Sequence, residues 1–203
     1  MNESPPMNEI QQLEKEIYER VQKLEVLRKE STPTPIKNYL FQDLNGEVAL
    51  RELFAGKNTL FVIHNMGQGC RWCTLWADGL NGFLPHLESD FSVVLLSKDT
   101  PEVQRKIALS RQWRFRMASH GGGDYISEQS VVSGESNMPG IVCYQLQDDK
   151  VVKKNSSVFG PRDLFCPQWH ILSLAGLSPS DWTPQFNYWQ RPGQMDDGGE
   201  NLN

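Results

Sequence analysis

Long apolar runs are missing from this chain. No uninterrupted stretch of aliphatic and aromatic residues exceeds that of Leu60-Phe61-Val62-Ile63, far short of the roughly 18–20 residues that a membrane-spanning helix needs. Positive charge is also short: 20 Lys and Arg stand against 25 Asp and Glu, a formal charge of −5. That balance argues against a general nucleic-acid binder, whose affinity comes mostly from cationic contacts to phosphate. Residues 1–30 lack the apolar segment of a secretory signal, so the expected address is the cytoplasm, with no membrane partner. Cysteine is scarce, at four residues, and without an export signal these are read as thiols kept reduced or cycling rather than as structural disulfides. Gly121-Gly122-Gly123 has neither the lysine nor the strand–turn–helix setting of a phosphate loop, which sets nucleotide binding aside. No internal repeat is visible.

What is present reads as one α/β domain with appendages. Leu13, Ile17, Val21, Leu24 and Leu27 recur at steps of three and four among charged residues, the pattern of a one-faced helix. This arm, residues 1–35, is expected to lie on its own domain or on a partner subunit, which makes it a candidate homodimer surface. Pro33 and Pro35 end it. Within a globular domain at 36–154, residues 39–48 read as a hairpin turning at Asn45-Gly46, and 59–64 as a strand buried on both faces. After Gly67-Gln68-Gly69 a helix is expected over 70–80, then a buried strand at 91–97. Asp99-Thr100-Pro101-Glu102 opens a helix running to about Gln112, with a side-chain oxygen as its cap. A strand at 113–119, a flexible loop at 120–124 and a final hairpin (141–146 with 151–153) complete a mixed central sheet with helices on both faces. A C-terminal extension, 155–189, carries a helix opened by Pro167 and the aromatics Trp182, Phe186, Tyr188 and Trp189, expected to pack on the domain; 190–203 is polar and expected to be disordered.

Cys70-Arg71-Trp72-Cys73 carries the chemistry. Two sulfurs three residues apart at a helix start lie within one turn, so a disulfide between them can close and open. Cys70, at the helix mouth beside Arg71, has its thiolate favoured by free N–H groups, the helix dipole and the cation, and is the expected nucleophile. Cys73, a turn inward, is the expected resolving thiol and the more buried of the two. Inert core thiols are the bland alternative. A metal site would instead add Cys166 and His170, a donor set zinc accepts. Trp72 forms a docking surface or shields the disulfide. Asp78 reads as a solvated or capping acid, Cys143 as core and His86 as a surface residue. His120 lies in a mobile loop that could close on the site.

At this junction the sequence resembles the thioredoxin superfamily, over residues 39–153. The opening hairpin, the 93–97 strand, the helix at Asp99 and Phe115-Arg116-Met117-Ala118-Ser119 are more similar to its peroxiredoxin-type branch. The phrases Phe61-Val62-Ile63-His64-Asn65-Met66-Gly67 and Cys73-Thr74-Leu75-Trp76-Ala77-Asp78-Gly79-Leu80-Asn81-Gly82, with Phe165-Cys166-Pro167-Gln168-Trp169-His170, resemble the thioredoxin-like family catalogued as domain of unknown function 899, whose members are often labelled predicted dithiol–disulfide oxidoreductases. The resemblance implies a thioredoxin-like fold, a dithiol–disulfide exchange that needs no organic cofactor, a disulfide-containing protein or small molecule as substrate, and an external thiol as reductant. It places Met138-Pro139 where the superfamily has its cis-proline loop, facing Cys70 and Cys73, so that Arg71, Trp72, Met138 and Pro139 are the expected substrate-binding residues; an ordinary trans proline is the alternative. His64 takes the place of the acid that thioredoxins carry six residues before the first cysteine. It is either a general base toward Cys73 or a hydrogen-bonded core histidine. The proline and threonine that precede a peroxiredoxin nucleophile are absent from residues 65–69, which demotes a peroxide-reducing alternative. A non-catalytic thioredoxin-fold binding module is the third reading.

Overall fold

The computed structural model describes residues 7–184. Phe186, Tyr188, Trp189 and the 190–203 tail lie outside the described residues. The chain runs through helix α1 (Met7–Glu30), strands β1 (Thr34–Pro35), β2 (Leu40–Asp43) and β3 (Gly46–Ala49), a 3₁₀ turn (Leu50–Phe54), strand β4 (Thr59–His64), helices α2 (Arg71–Asn81) and α3 (Leu84–Leu87), strand β5 (Ser92–Ser97), helix α4 (Pro101–Arg111), strand β6 (Arg116–Ser119), helix α5 (Asp124–Glu128), strands β7 (Gly140–Gln147) and β8 (Lys150–Val158), and helix α6 (Gln168–Leu174). One eight-stranded sheet has the order β1-β8-β7-β4-β5-β6-β2-β3. β4, β5 and β6 are parallel and the other pairings are antiparallel. This is the thioredoxin-like mixed sheet, with a helical arm in front, that the sequence leads one to expect.

The alternating side chains of β4 divide the core. Leu60 and Val62 face one cluster with Phe41, Leu50, Phe54, Tyr125 and Tyr144, beneath the 3₁₀ turn and α5. Phe61 and Ile63 face the other, with Trp76, Ala77 and Leu80 of α2, Ile107 of α4 and Trp169 of α6. Strands covered on both sides lose the hydrophobic alternation of a surface strand, and all six positions of β5 are buried. The β7–β8 hairpin turns through Asp148 and Asp149, both left-handed (φ 47° and 63°), the geometry of a tight twisted turn.

Several boundaries differ from the sequence reading. The proline segment contributes β1, pairing Thr34 with Lys153, and β8 continues past Lys154 to Val158. β6 is shorter than 113–119 because Gln112 turns left-handed (φ 58°) at the end of α4 and the Trp113 indole donates to Asp78 Oδ1 at 2.7 Å, making 113–115 a connector. Thr100 is the α4 cap residue but makes no side-chain capping bond. Asp99 Oδ2 instead accepts from Gln68 N at 2.7 Å, so the expected capping oxygen serves the loop before α2.

The arm seats by its C-terminal half. Its last carbonyls, which a helix cannot satisfy internally, are met from β8: Asn155 Nδ2 donates to Arg28 O at 3.0 Å, and Lys154 Nζ to Lys29 O at 2.8 Å. Val21, Leu24 and Arg28 are half-buried, whereas Ile10, Leu13 and Ile17 continue the same stripe at 57, 53 and 58 % exposure. Among the described residues no helix is long and apolar enough to cross a membrane.

Candidate functional site

β4 delivers the chain to the motif through a tight five-residue loop. Asn65 N extends the ladder to Leu96 O at 2.9 Å, and Asn65 Oδ1 accepts from Gly67 N at 2.8 Å. Gly67 sits at φ +121°, where a Cβ would lie 3.1 Å from Lys98 Cε and 3.2 Å from an Asp99 oxygen. Only glycine combines that dihedral with that approach. Cys70 then caps α2, its Sγ accepting from Cys73 N at 3.1 Å. The Cys73 sulfur accepts in turn from Met66 N at 3.4 Å.

Neither thiol is exposed, and each sulfur accepts one main-chain hydrogen bond. Cys73 is the more buried by a narrow margin, 3 % exposed against 5 % for Cys70, and the first thiol, read as lying at the helix mouth, is closed off from solvent as well. The reason is the capping geometry: a cap side chain folds back over the first turn to meet the N–H three residues on. Burial pushes the Cys73 thiol well above its usual range, and the hydrogen bond to Cys70 and the charge there push the same way. Cys73 therefore holds its proton at neutral pH, beside a Cys70 sulfur that receives a main-chain donor at a helix N-terminus.

The flanking residues turn inward. Arg71 is completely buried and so offers a substrate no surface contact. Its side chain belongs instead to the interior. Trp72 packs on Trp169 of α6, centroids 5.7 Å apart at 31°, which engages it with the C-terminal extension. That extension is tied to α2 by Asp163, whose Oδ2 accepts from Trp76 Nε1 at 2.8 Å, and by Phe159 stacked on Trp76 at 5.6 Å. The sequence offered no signal for Asp163. Asp78, though partly exposed, does not cap a helix: it accepts from both Arg111 and the Trp113 indole, joining α2 to the end of α4.

No peptide bond among the described residues is cis, so Met138-Pro139 takes the trans alternative. Asn137 turns left-handed at φ 53° just before it and reaches to 3.5 Å from Met66 O through its Nδ2. The half-buried Met138-Pro139 segment thus borders the motif loop through Asn137, and Gly140 pairs with His64 in the sheet.

His64 is the hydrogen-bonded core histidine of the two readings. Its Nε2 lies 2.8 Å from the Tyr125 hydroxyl, on the sheet face opposite α2, and Tyr125 meets Tyr144 at 3.1 Å. Neither ring nitrogen hydrogen-bonds to a sulfur. His120 is buried rather than mobile, its Nδ1 accepting from Gly122 N at 3.1 Å. Burial, helped by His120 and Lys153, pushes His64 down to about 3; burial and Lys98 push His120 down to about 4. The unfolded chain, with histidines near 6.5, binds more protons below that pH, so stability is full above pH 6.5 and falls as pH drops toward 4. The expected slope approaches about 1.4 kcal/mol per pH unit for each histidine. Urea midpoints at pH 7, 5.5 and 4.5 measure it, and His120→Gln should flatten it.

Cys143 is half-buried rather than core, lining a cavity of about 200 Å³ with Phe61, Ile141, Phe165 and Arg28. Cys166 is buried against the α2 face, and His170 is exposed on α6. His86 is exposed on α3. Among the described residues no three His, Cys, Asp or Glu side chains gather so as to hold a metal ion.

Comparison with known proteins agrees with this architecture. The chain belongs to the family described as "Bacterial protein of unknown function (DUF899)", whose model matches residues 7–192. Its fold is similar to that of a Xylella fastidiosa PrxQ mutant, at TM-score 0.52 and 10% identity over 71% of this chain and 94% of that one. It is similar also to Xanthomonas campestris Peroxiredoxin Q, at TM-score 0.51 and 12% identity over 68% of this chain and 88% of that one. A thiol:disulfide interchange protein from Bacteroides sp. aligns at TM-score 0.46 and 17% identity over 59% of this chain and 84% of that one. At such identities the two peroxiredoxin likenesses establish the fold alone. No curated protein matches the chain.

Proposed function

We propose that this member of the family is a dithiol–disulfide oxidoreductase that uses Cys70 as nucleophile and Cys73 as resolving thiol. The observation that carries the reading is the pairing of a main-chain donor on the Cys70 sulfur (3.1 Å) with a buried Cys73 that keeps its proton. The Cys70 thiolate attacks one sulfur of a substrate disulfide, a Cys70–substrate S–S bond forms, and the other substrate sulfur leaves as a thiolate and takes a proton. Cys73, losing its proton, attacks the Cys70 sulfur and releases the second substrate thiol. Two electrons have then passed from the protein to the substrate, and an external thiol of a reducing cytoplasm restores the pair. The experiment is to incubate Cys73→Ser protein with 5,5′-dithiobis(2-nitrobenzoate). A stable adduct of one thionitrobenzoate on Cys70 is expected. An adduct confined to Cys143 or Cys166 rejects the reading.

The near-complete burial of Cys70 favours a second reading, in which the oxidant is small. A peroxide would be attacked by the Cys70 thiolate, its O–O bond breaking to leave an alcohol or water and a sulfenic acid on Cys70. Cys73 would then close the disulfide with release of water. A sulfenate trapped on Cys73→Ser protein at a rate far above that of free cysteine selects this reading.

A further inference from the structure

One face of the sheet stays open between the arm and the C-terminal extension. Phe61 pairs with Cys143 and Cys143 with Asn155, while Ile141 pairs with Ser157, and cross-strand partners point to the same face. Phe61 and Ile141 lie there at the margin of the cluster under α2. Phe165 forms a wall, its ring 5.4 Å from that of Phe159, and the last turn of α1 supplies Arg28 at the rim. The result is the cavity of about 200 Å³ on which Cys143 stands. Phe61, Ile141, Cys143 and Phe165 are all half-buried, so its floor and wall are apolar surface without a cover among the described residues.

Arg28 has no counter-ion. Among the described residues no carboxylate lies within ion-pair distance of it, and no acidic residue lines the cavity. Its guanidinium carbon stands 5.9 Å from the centre of the Phe165 ring, a cation–π contact that keeps it beside the wall. The hydrogen bond from Asn155 that seats this turn uses the Arg28 carbonyl and leaves the side-chain donors outside the joint. Lys154 adds positive charge close enough to act on the Cys143 thiol.

An apolar chamber and a cation at its rim make different demands on an occupant. Water serves the first poorly, since a cavity lined by apolar groups holds it by few hydrogen bonds. A carboxylate serves the second well, because it accepts two parallel bonds from a guanidinium. An apolar cavity of about 150 Å³ accepts benzene, so about 200 Å³ suits one ring with a short arm.

We propose that this cavity binds a small carboxylate with an apolar, ring-sized body, the body packed on Phe61, Ile141 and Phe165 and the carboxylate accepting from the Arg28 guanidinium. The site uses neither sulfur of α2 and stands apart from the oxidoreductase reading. The probe is sodium phenylacetate, titrated into the full chain by calorimetry, with Cys143 as the reporter of place. Saturable binding is expected, and saturating probe should slow alkylation of Cys143 by iodoacetamide at least tenfold, read by peptide mass. Arg28→Gln should weaken phenylacetate at least tenfold while leaving protection by uncharged benzyl alcohol unchanged, which separates loss of the cation from loss of the fold. Protein already alkylated on Cys143 should bind neither. No saturable binding, binding that leaves Cys143 alkylation unchanged, or undiminished phenylacetate affinity in Arg28→Gln overturns the proposal. Equal protection by acetate, which has the head without the body, overturns it too. So does a Cys143 that alkylates only after unfolding, because a segment of the protein itself then fills the cavity.

Discussion

Replacing Cys70 with serine is expected to slow disulfide reduction at least about a thousandfold, because an alcohol without an adjacent base is a poor nucleophile near neutrality. The geometry makes the effect asymmetric. Cys70 Sγ receives the Cys73 N–H, so serine at this position can keep the helix cap while losing the chemistry, and unfolding is not the expected cause of the loss. Cys73→Ser should retain the first attack and stop at the mixed disulfide, giving a burst of one equivalent without turnover. Single-turnover kinetics with a chromogenic disulfide separates the two variants. Equal steady-state rates in wild type and Cys70→Ser would remove the proposed reaction, whatever the burst.

Gly140→Ala is expected to cost about 3 kcal/mol, the upper part of the range for forcing extra volume into a packed interior. In this 203-residue chain that corresponds to a Tm lower by roughly 6–12 °C. The cause is steric, not conformational, since Gly140 does not have a positive φ. A methyl there would run into the Ser157 carbonyl oxygen and come within 2.8 and 2.9 Å of the two Val131 methyls. A side chain can rotate away, but the Ser157 carbonyl belongs to the β7–β8 ladder and cannot. Val131→Ala should therefore rescue only a minor part of the loss in a thermal melt of the double variant. Because Gly140 also pairs with His64, the same variant should disturb the edge of the sheet from which the motif loop springs.

The fold was largely legible because its signals are local. The unbroken apolar run of β4, the glycines after it and the proline at the start of α4 each name an element without reference to distant residues. What escaped depends on distance along the chain. His64 and Tyr125 are 61 residues apart, and Trp76 and Asp163 are 87 apart, so no periodicity pairs them. The position of the two sulfurs on one helical turn was readable from spacing. Their similar burial was not, because it follows from Cys70 acting as the cap and from an extension folding back over α2. Arg71 illustrates the same limit: a charged residue between two cysteines looks exposed until the interior that encloses it is known.

Both sulfurs of the pair draw hydrogen bonds from the main chain, Cys70 from the amide of Cys73 and Cys73 from the amide of Met66. Every residue except proline carries that group. The polarisation of the two sulfurs is thus encoded in the path of the backbone rather than in the identity of any neighbour. Under the proposed exchange, sequence drift around the motif can vary which molecule is recognised while leaving the sulfur chemistry intact, and this gives a lineage freedom to change clients without reinventing the reaction.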